Sequence, residues 1–299
     1  LPFTAQSQVY YSPYEHNAVM RVLHLYQSRI GFTLTELPLI EDTGAIDLVQ
    51  LQFLFSTKKP DYCFISQVSN VTGYILPTAE ITAMAKQYQA VVCIDAAQAC
   101  GLIPVDLRQL AADFYVFAGH KTLYGPFGAA GFFKRSGTVL QTCIAGGTGT
   151  DSLNLEMPRT GPERFEAGSH NLPAIAGLHA ALQELPPPET LLAFEQELTH
   201  SLVEGLRRNP NVKLYLPPED THVGIVSLNL RGYQASEVGT ILDEDYDIAV
   251  RTGFHCAPCV HAHLKDMEHA GTGRVSIGRF TTQEDVEKVV KAMKEIGEE

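Results

Sequence analysis

The sequence predicts an α/β fold in two parts: a large domain on a mainly parallel sheet (residues 1–185) and a small α+β C-terminal domain (186–299). The strongest support lies in residues 90–125, where the apolar runs Val91-Val92-Cys93-Ile94 and Phe114-Tyr115-Val116-Phe117 flank a helix-like segment. That is the pattern of parallel strands covered on both faces. Each run stops at reactive groups, the first at Asp95 with Gln98 close behind and the second at Ala118-Gly119-His120-Lys121. Ligands of open α/β sheets collect at the carboxyl ends of strands, so Asp95, Gln98, His120 and Lys121 are expected in one crevice. The second support is Pro186-Pro187-Pro188, which breaks the chain ahead of a differently ordered set of elements.

Taken in order, residues 9–11 end a strand, and Glu15-His16-Asn17-Ala18 opens a helix whose Val19, Val22, Leu23 and Tyr26 recur at helical spacing. His16 is therefore either a cap or a planar ring laid on a flat cofactor. Residues 32–37 alternate as a strand, 46–55 read as a helix, and 61–67 as a strand reaching Ser69-Asn70-Val71-Thr72-Gly73. Asn70 is then a turn former or a hydrogen-bonding group for a bound oxygen or carboxylate. An amphipathic helix covers 78–89, and small residues favour a close-packed strand over 128–133. The glycine-rich loop 146–150 can offer backbone N–H groups to a phosphate. Ser169 precedes a helix over 173–185, as an N-cap or an anion-binding serine. Beyond the prolines the expected order is helix 189–208, strands 212–215 and 224–230, helix 236–246, strand 248–251, a loop, strand 274–280, and a last helix opened by Thr281 and Glu284 as a capping box.

At 299 residues with 45% hydrophobic content the chain can bury a sizeable core. No stretch is long and apolar enough to span a bilayer and no basic region precedes an apolar run, so a cytoplasmic protein with no membrane partner is expected. A net charge of −12 argues against nucleic acid as the main partner. Six cysteines in a chain this long do not make a disulfide framework and are expected reduced.

An amine and an acid at neighbouring strand ends point to pyridoxal 5'-phosphate. A lysine can hold an aldehyde cofactor as a Schiff base, and a carboxylate opposite the pyridine nitrogen keeps that nitrogen protonated so that the ring accepts electrons. Lys121 is the expected anchor and Asp95 the partner. A second cluster lies in Arg251-Thr252-Gly253-Phe254-His255-Cys256-Ala257-Pro258-Cys259-Val260-His261-Ala262-His263. Cys256, Cys259, His261 and His263 can ligate zinc, although no second CxxC exists and His-x-His is not finger spacing. The other reading is a mobile loop carrying a nucleophilic thiol, Cys256, with His255 favouring the thiolate and Arg251 clamping a carboxylate. Cys259 is then a bystander or a resolving thiol.

In combination and order, EHNAV (15–19), SNVTG (69–73), IDAAQ (94–98), AGHK (118–121), RFEAGSHN (164–171), RTGFHC (251–256) and GRVSIGRF (273–280) resemble the motifs of cysteine desulfurases and selenocysteine lyases of the class V aminotransferase fold. The resemblance runs from about Val9 to the C-terminus. It implies a three-layer, aspartate aminotransferase-like (fold type I) large domain and a homodimer with shared active sites. It implies that Lys121 anchors pyridoxal 5'-phosphate, Asp95 pairs with the ring nitrogen, Gln98 contacts the ring hydroxyl and His16 stacks on the ring. His120 would touch the phosphate, Ser169 would reach the phosphate of the other subunit, and Asn70, Arg251 and Arg274 would hold the substrate carboxylate. Cys256 would take the sulfur of cysteine as a persulfide and release alanine, with Lys121 as proton shuttle and a sulfur-acceptor protein downstream.

Two departures stand out. Ala118 occupies a position where the family usually carries serine or threonine, which removes one phosphate hydroxyl. The family's N-terminal segment, with a Gly-Thr helix start that cups the phosphate, is expected to be missing from the large domain. Three readings follow: a desulfurase that uses Cys256, a related selenocysteine lyase, transaminase or β-eliminating lyase that does not, and a non-catalytic homologue acting as a scaffold or sulfur relay.

Overall fold

The computed structural model describes residues 1–218 and 221–297. Six strands make the first sheet: β1 (Gln8–Tyr11), β2 (Thr33–Glu36), β3 (Tyr62–Ser66), β4 (Val91–Asp95), β5 (Phe114–Ala118) and β6 (Ala130–Lys134). Their order is β2-β1-β3-β4-β5-β6, parallel except for the antiparallel pair β5 and β6. Cys63 and Ile65 of β3 and Val92 and Ile94 of β4 have no exposed surface, as central strands of a covered sheet require.

The helices are α1 (Asn17–Ile30), α2 (Leu48–Thr57), α3 (Thr78–Lys86), α4 (Leu107–Leu110), α5 (Leu172–Gln183), α6 (Pro188–Arg207), α7 (Ala235–Tyr246), α8 (Val260–Leu264) and α9 (Gln283–Ile296). The second sheet is antiparallel, with β7 (Val212–Tyr215), β8 (Ile225–Leu230), β9 (Arg251–Gly253) and β10 (Thr272–Ser276) in the order β7-β8-β10-β9. β8 is buried along its whole length, and Leu202, Leu206, Val238, Leu242, Val289 and Met293 from α6, α7 and α9 share its core. The first sheet's core also takes in Leu191, Val223, Ile225, Ala257 and Val260, so the loop after β9 is packed against the parallel sheet. No helix among the described residues is long and apolar enough to cross a membrane.

The mixed architecture agrees with the sequence expectation, and several local details correct it. Between β4 and β5 the helix shrinks to the four residues of α4, because Gly101 takes a left-handed φ of +83° and leads into Pro104. The strand expected over 248–251 begins only at Arg251, where pairing with β10 starts, while Ile248 and Val250 pack into the second core without a ladder partner. β10 stops at Ser276, although alternation continues to residue 280. Gly278 and Thr281 close a turn there, with Thr281 donating N–H to Gly278 O and accepting from Gly278 N at Oγ1, each at 3.0 Å. With Thr281 engaged, the capping box of α9 passes to Thr282 and Asp285. Likewise α5 is capped by Asn171, which accepts from Ala174 N, and not by Ser169.

Candidate active site

Parallel register brings the candidate residues together. Ser66 pairs with Asp95 and Asp95 with Val116, so the turn after β5 begins beside the end of β4. That turn is tight: Lys121 N–H donates to Ala118 O, Tyr124 N–H to Lys121 O and Gly125 N–H to Gly119 O, at 3.3, 2.9 and 2.8 Å. Gly119 has no room for a side chain, since a Cβ there would sit 2.7 Å from Ala129 O. Above these ends opens a cavity of about 560 Å³ lined by His16, Asn70, Gln98, His120, Lys121, Arg251 and Arg274, with Thr122, Tyr124, Glu195 and Ser276 among the other walls.

The charges in this cavity shape one another. Burial pulls the Lys121 amine below its ordinary value, Asp95 opposes this, and Arg274 and Arg251 add to it. Burial, then the charge of Lys121, also lowers the imidazole of His16. His16 serves both readings of its position: Nδ1 accepts from Ala18 N at 3.0 Å and caps α1, while the ring lines the cavity. Asp95 Oδ1 accepts from Ala97 N at 2.9 Å. Next to it lies a carboxyl that sequence reasoning left without a role. Glu15 is fully buried, its Oε1 accepts from Ser12 Oγ and Ser66 N, and burial followed by the charge of Asp95 pushes its pKa up to about 8.

Antiparallel pairing sets Arg251 directly opposite Arg274, so two like charges project from one face of the second sheet. Burial and then Arg251 disfavour the charge on Arg274. Arg274 donates from Nη1 to Asn70 O at 2.8 Å, yet its buried Nε has no partner, and neither does the buried Oδ1 of Asn70. Arg274 Nε and the opposed guanidinium of Arg251 suit an anion entering between them.

Cys256 is exposed, and Arg251 Nη2 lies 3.3 Å from its Sγ. The arginine, not His255, is the cation at the thiol. His255 turns into the interior, where Nε2 meets Thr272 Oγ1 at 2.9 Å, and burial followed by Arg274 lowers its pKa to about 4. The zinc reading also fails on geometry, since its four residues are engaged elsewhere: His261 bonds Asp266, His263 bonds Glu36, Cys259 is held by Tyr11 and Cys256 lies beside Arg251. Burial and Glu36 raise the Cys259 thiol, which suits a bystander. No cluster of three or more His, Cys, Asp or Glu side chains among the described residues is arranged to hold a metal. His120 stacks on Phe127 at 4.6 Å at the cavity edge. Ser169 is exposed and, like the glycine loop 146–150, lies outside the cavity. Glu195, with its pKa raised by burial to about 7, and Tyr124 were missed; Tyr124 was available from its place three residues after Lys121.

A parallel sheet that presents an acid and a half-buried lysine at adjacent strand ends, faced by paired arginines, defines an enzyme of the aminotransferase type. The aminotransferase class-V family model matches residues 2–289, and the chain belongs to that family. Among its relatives, a cysteine desulfurase of Escherichia coli O127:H6 is 35% identical over 299 residues, covering 98% of this chain and 71% of its own length. The apo structure of cysteine desulfurase from Thermococcus onnurineus NA1 matches with a TM-score of 0.89 at 28% identity, over 99% of this chain and 74% of that one. A cysteine desulfurase of Escherichia coli in an S-sulfonic acid form matches equally well, at 0.89 and 26% identity, over 99% and 73%.

Proposed function

We propose that this chain is a pyridoxal-phosphate-dependent cysteine desulfurase, converting L-cysteine to L-alanine and passing the sulfur to Cys256. The observation that carries the reading is the meeting of three groups at one cavity: Lys121 with Asp95 behind it, the opposed Arg251 and Arg274, and the thiol of Cys256 in contact with Arg251.

The residues present fit the cofactor. Lys121 would supply a half-buried amine for the aldehyde, Asp95 a carboxylate for the ring nitrogen, Gln98 an amide for the ring hydroxyl and His16 a flat ring to cover one face. His120 is the nearest candidate for the phosphate. Bound there, pyridoxal phosphate supplies an electron sink that weakens the bonds around the substrate's α-carbon. Arg274 and Arg251 bind the substrate carboxylate, and Asn70 Oδ1 accepts a hydrogen from its amino group. A lysine amine whose charge is disfavoured by burial is freed of its own proton more easily, so Lys121 Nζ is available to accept the proton at the α-carbon and to return it. Cys256 Sγ, with Arg251 Nη2 beside it, gives up its proton and attacks the substrate sulfur. As the new S–S bond forms the substrate's Cβ–S bond breaks, and its electron pair stays with the carbon skeleton, which takes up a proton and leaves as alanine. Cys256 keeps the sulfur as a persulfide for an acceptor protein.

A second copy of the chain completes the site. Phe127, Phe132, Phe133, Leu172 and Ile175 are 80, 42, 54, 68 and 48% exposed, a large apolar face around β6 and the start of α5 that suits a homodimer. Ser169 is exposed three residues ahead of the start of α5, suited to reach the partner's phosphate. Division at 185/186 makes residues 1–185 the cofactor domain and 186–299 the small domain that carries Cys256. All six cysteines are free thiols, which suits the cytoplasm.

The test is a spectrum of the purified, cofactor-loaded protein. A visible band that shifts on adding cysteine, with alanine and sulfide formed in the presence of a thiol reductant, is the expected result. A colourless protein, or sulfide formation that persists at full rate in Cys256→Ala, would refute the assignment.

A further inference from the structure

The backbone around Cys256 is held at three consecutive carbonyls. Phe254 O accepts from His261 Nε2 at 3.0 Å, His255 O from Asn70 Nδ2 at 2.7 Å and Cys256 O from Asn17 N at 2.7 Å. Phe254 O also accepts from Ala257 N at 2.9 Å, closing a turn whose two central residues, His255 and Cys256, take left-handed φ values of 49° and 57°. Two consecutive non-glycine residues in that region are disfavoured by their own Cβ atoms, so the turn does not hold itself.

The anchor of the first carbonyl has an anchor of its own. His261 and Asp266 are 2% and 0% exposed at the side chain, and Nδ1 lies 2.6 Å from Oδ2. The hydrogens follow from what each atom can do. A carbonyl only accepts, so His261 Nε2 carries a hydrogen, and a second hydrogen lies between Nδ1 and Oδ2. With both ring nitrogens engaged in the interior, the imidazole cannot flip or swing without abandoning a buried partner. The ring of Phe254 meets it edge-on at 5.1 Å and 85°, blocking a further escape.

We propose that His261 and Asp266 are positioning residues for the sulfur-accepting thiol: the buried imidazole and carboxyl clamp the Phe254 carbonyl, and the clamped turn holds Cys256 Sγ beside Arg251. Asp266 fixes the ring, the ring fixes the carbonyl, and the carbonyl fixes the strained turn. The proposal rests on Cys256 as the sulfur acceptor, although the clamp itself is measurable without turnover.

The experiment compares cofactor-loaded wild type with His261→Phe, which keeps a flat ring and loses both hydrogen bonds, and His261→Gln, whose side-chain amide can still donate to the carbonyl. Hydrogen exchange at the Ala257 amide and iodoacetamide labelling of Cys256 are read in substrate-free protein, and kcat and KM for cysteine separately. His261→Phe is expected to exchange at Ala257 at least about tenfold faster, the equivalent of one lost hydrogen bond. Its labelling rate departs from wild type in step. Its kcat should fall roughly tenfold to a hundredfold, as displacement of a reacting group by about an ångström does, with KM and the visible band retained. His261→Gln should recover most of both. Wild-type exchange and kcat in His261→Phe would overturn the proposal. So would a His261→Gln as damaged as His261→Phe, or a fall in kcat accompanied by loss of the visible band. If Cys256→Ala kept full sulfide production, the functional assignment would fall while exchange and labelling still reported on the clamp.

Discussion

Lys121 sits on the turn after β5 and Cys256 on the loop after β9, and the chain holds the two in different ways. Lys121 owes its place to strand register: once Asp95 pairs with Val116, a few tight backbone bonds fix the turn that begins at Ala118. Cys256 has no register to rely on. Its turn is strained, and its bonds come from Asn17, Asn70 and His261, the second of these 185 positions away. A site assembled this way has one half that any intact sheet supplies and another that depends on individual side chains.

That contrast can be tested by substitution. Lys121→Ala strikes the sheet-held half, so the visible band should disappear and cysteine turnover should fall by ~10³-fold or more, the scale of a lost proton-transfer group. Cys256→Ala strikes the other half: persulfide should be undetectable by mass spectrometry, while the band and its shift on adding cysteine survive. If both variants lost the band, the two halves would not be separable. Arg274→Gln removes one charged partner of the substrate carboxylate, and KM for cysteine should rise by roughly tenfold to a hundredfold, a loss of about 1.5–3 kcal/mol. Asn70→Ala leaves the buried His255 carbonyl unpaired, which should cost ~1–3 kcal/mol in denaturant unfolding.

The last test is read in pH rather than in rate and belongs to the interior acid behind Asp95. Glu15 holds its proton to about pH 8 in the fold, and near the ordinary carboxyl value of 4.5 when unfolded. Its contribution to stability is therefore full below about 4.5 and is lost as pH rises through about 8, because the folded state binds the extra proton in between. Glu15→Gln should flatten this slope, gaining on wild type between pH 5 and pH 9 in urea midpoints. Parallel curves would mean that Glu15 is ionised throughout.

The same contrast explains what the sequence disclosed. Strand ends advertise themselves: an apolar run that stops at Asp95 and another that stops at His120-Lys121 follow from burial on both faces of a sheet. Hence the sheet was legible, and so was the meeting of Gln98, His120 and Lys121 at one cavity, whereas Arg274 entered only through the family resemblance. The loop was not, because its order comes from hydrogen bonds that leave no period in the sequence. His261 reads as a metal ligand when only its neighbours Cys256 and Cys259 are in view, and nothing in the spacing says that Asp266 is its partner. His255 was assigned to the thiol on adjacency alone, but left-handed backbone at residues 255 and 256 sends its ring to Thr272. Strand ends slipped for a related reason: Ile248 and Val250 satisfy the apolar pattern through core packing alone, and only the ladder with β10 decides where β9 begins.

Arg251 and Arg274, set opposite each other on neighbouring strands, give the protein a built-in repulsion. Any small carboxylate that slips between them relieves it, so acetate or alanine should raise the melting temperature of the resting enzyme in proportion to occupancy, and high salt should blunt the gain. On this account β9 and β10 are drawn together most firmly when a substrate is aboard, and the molecule is at its tightest while it is working.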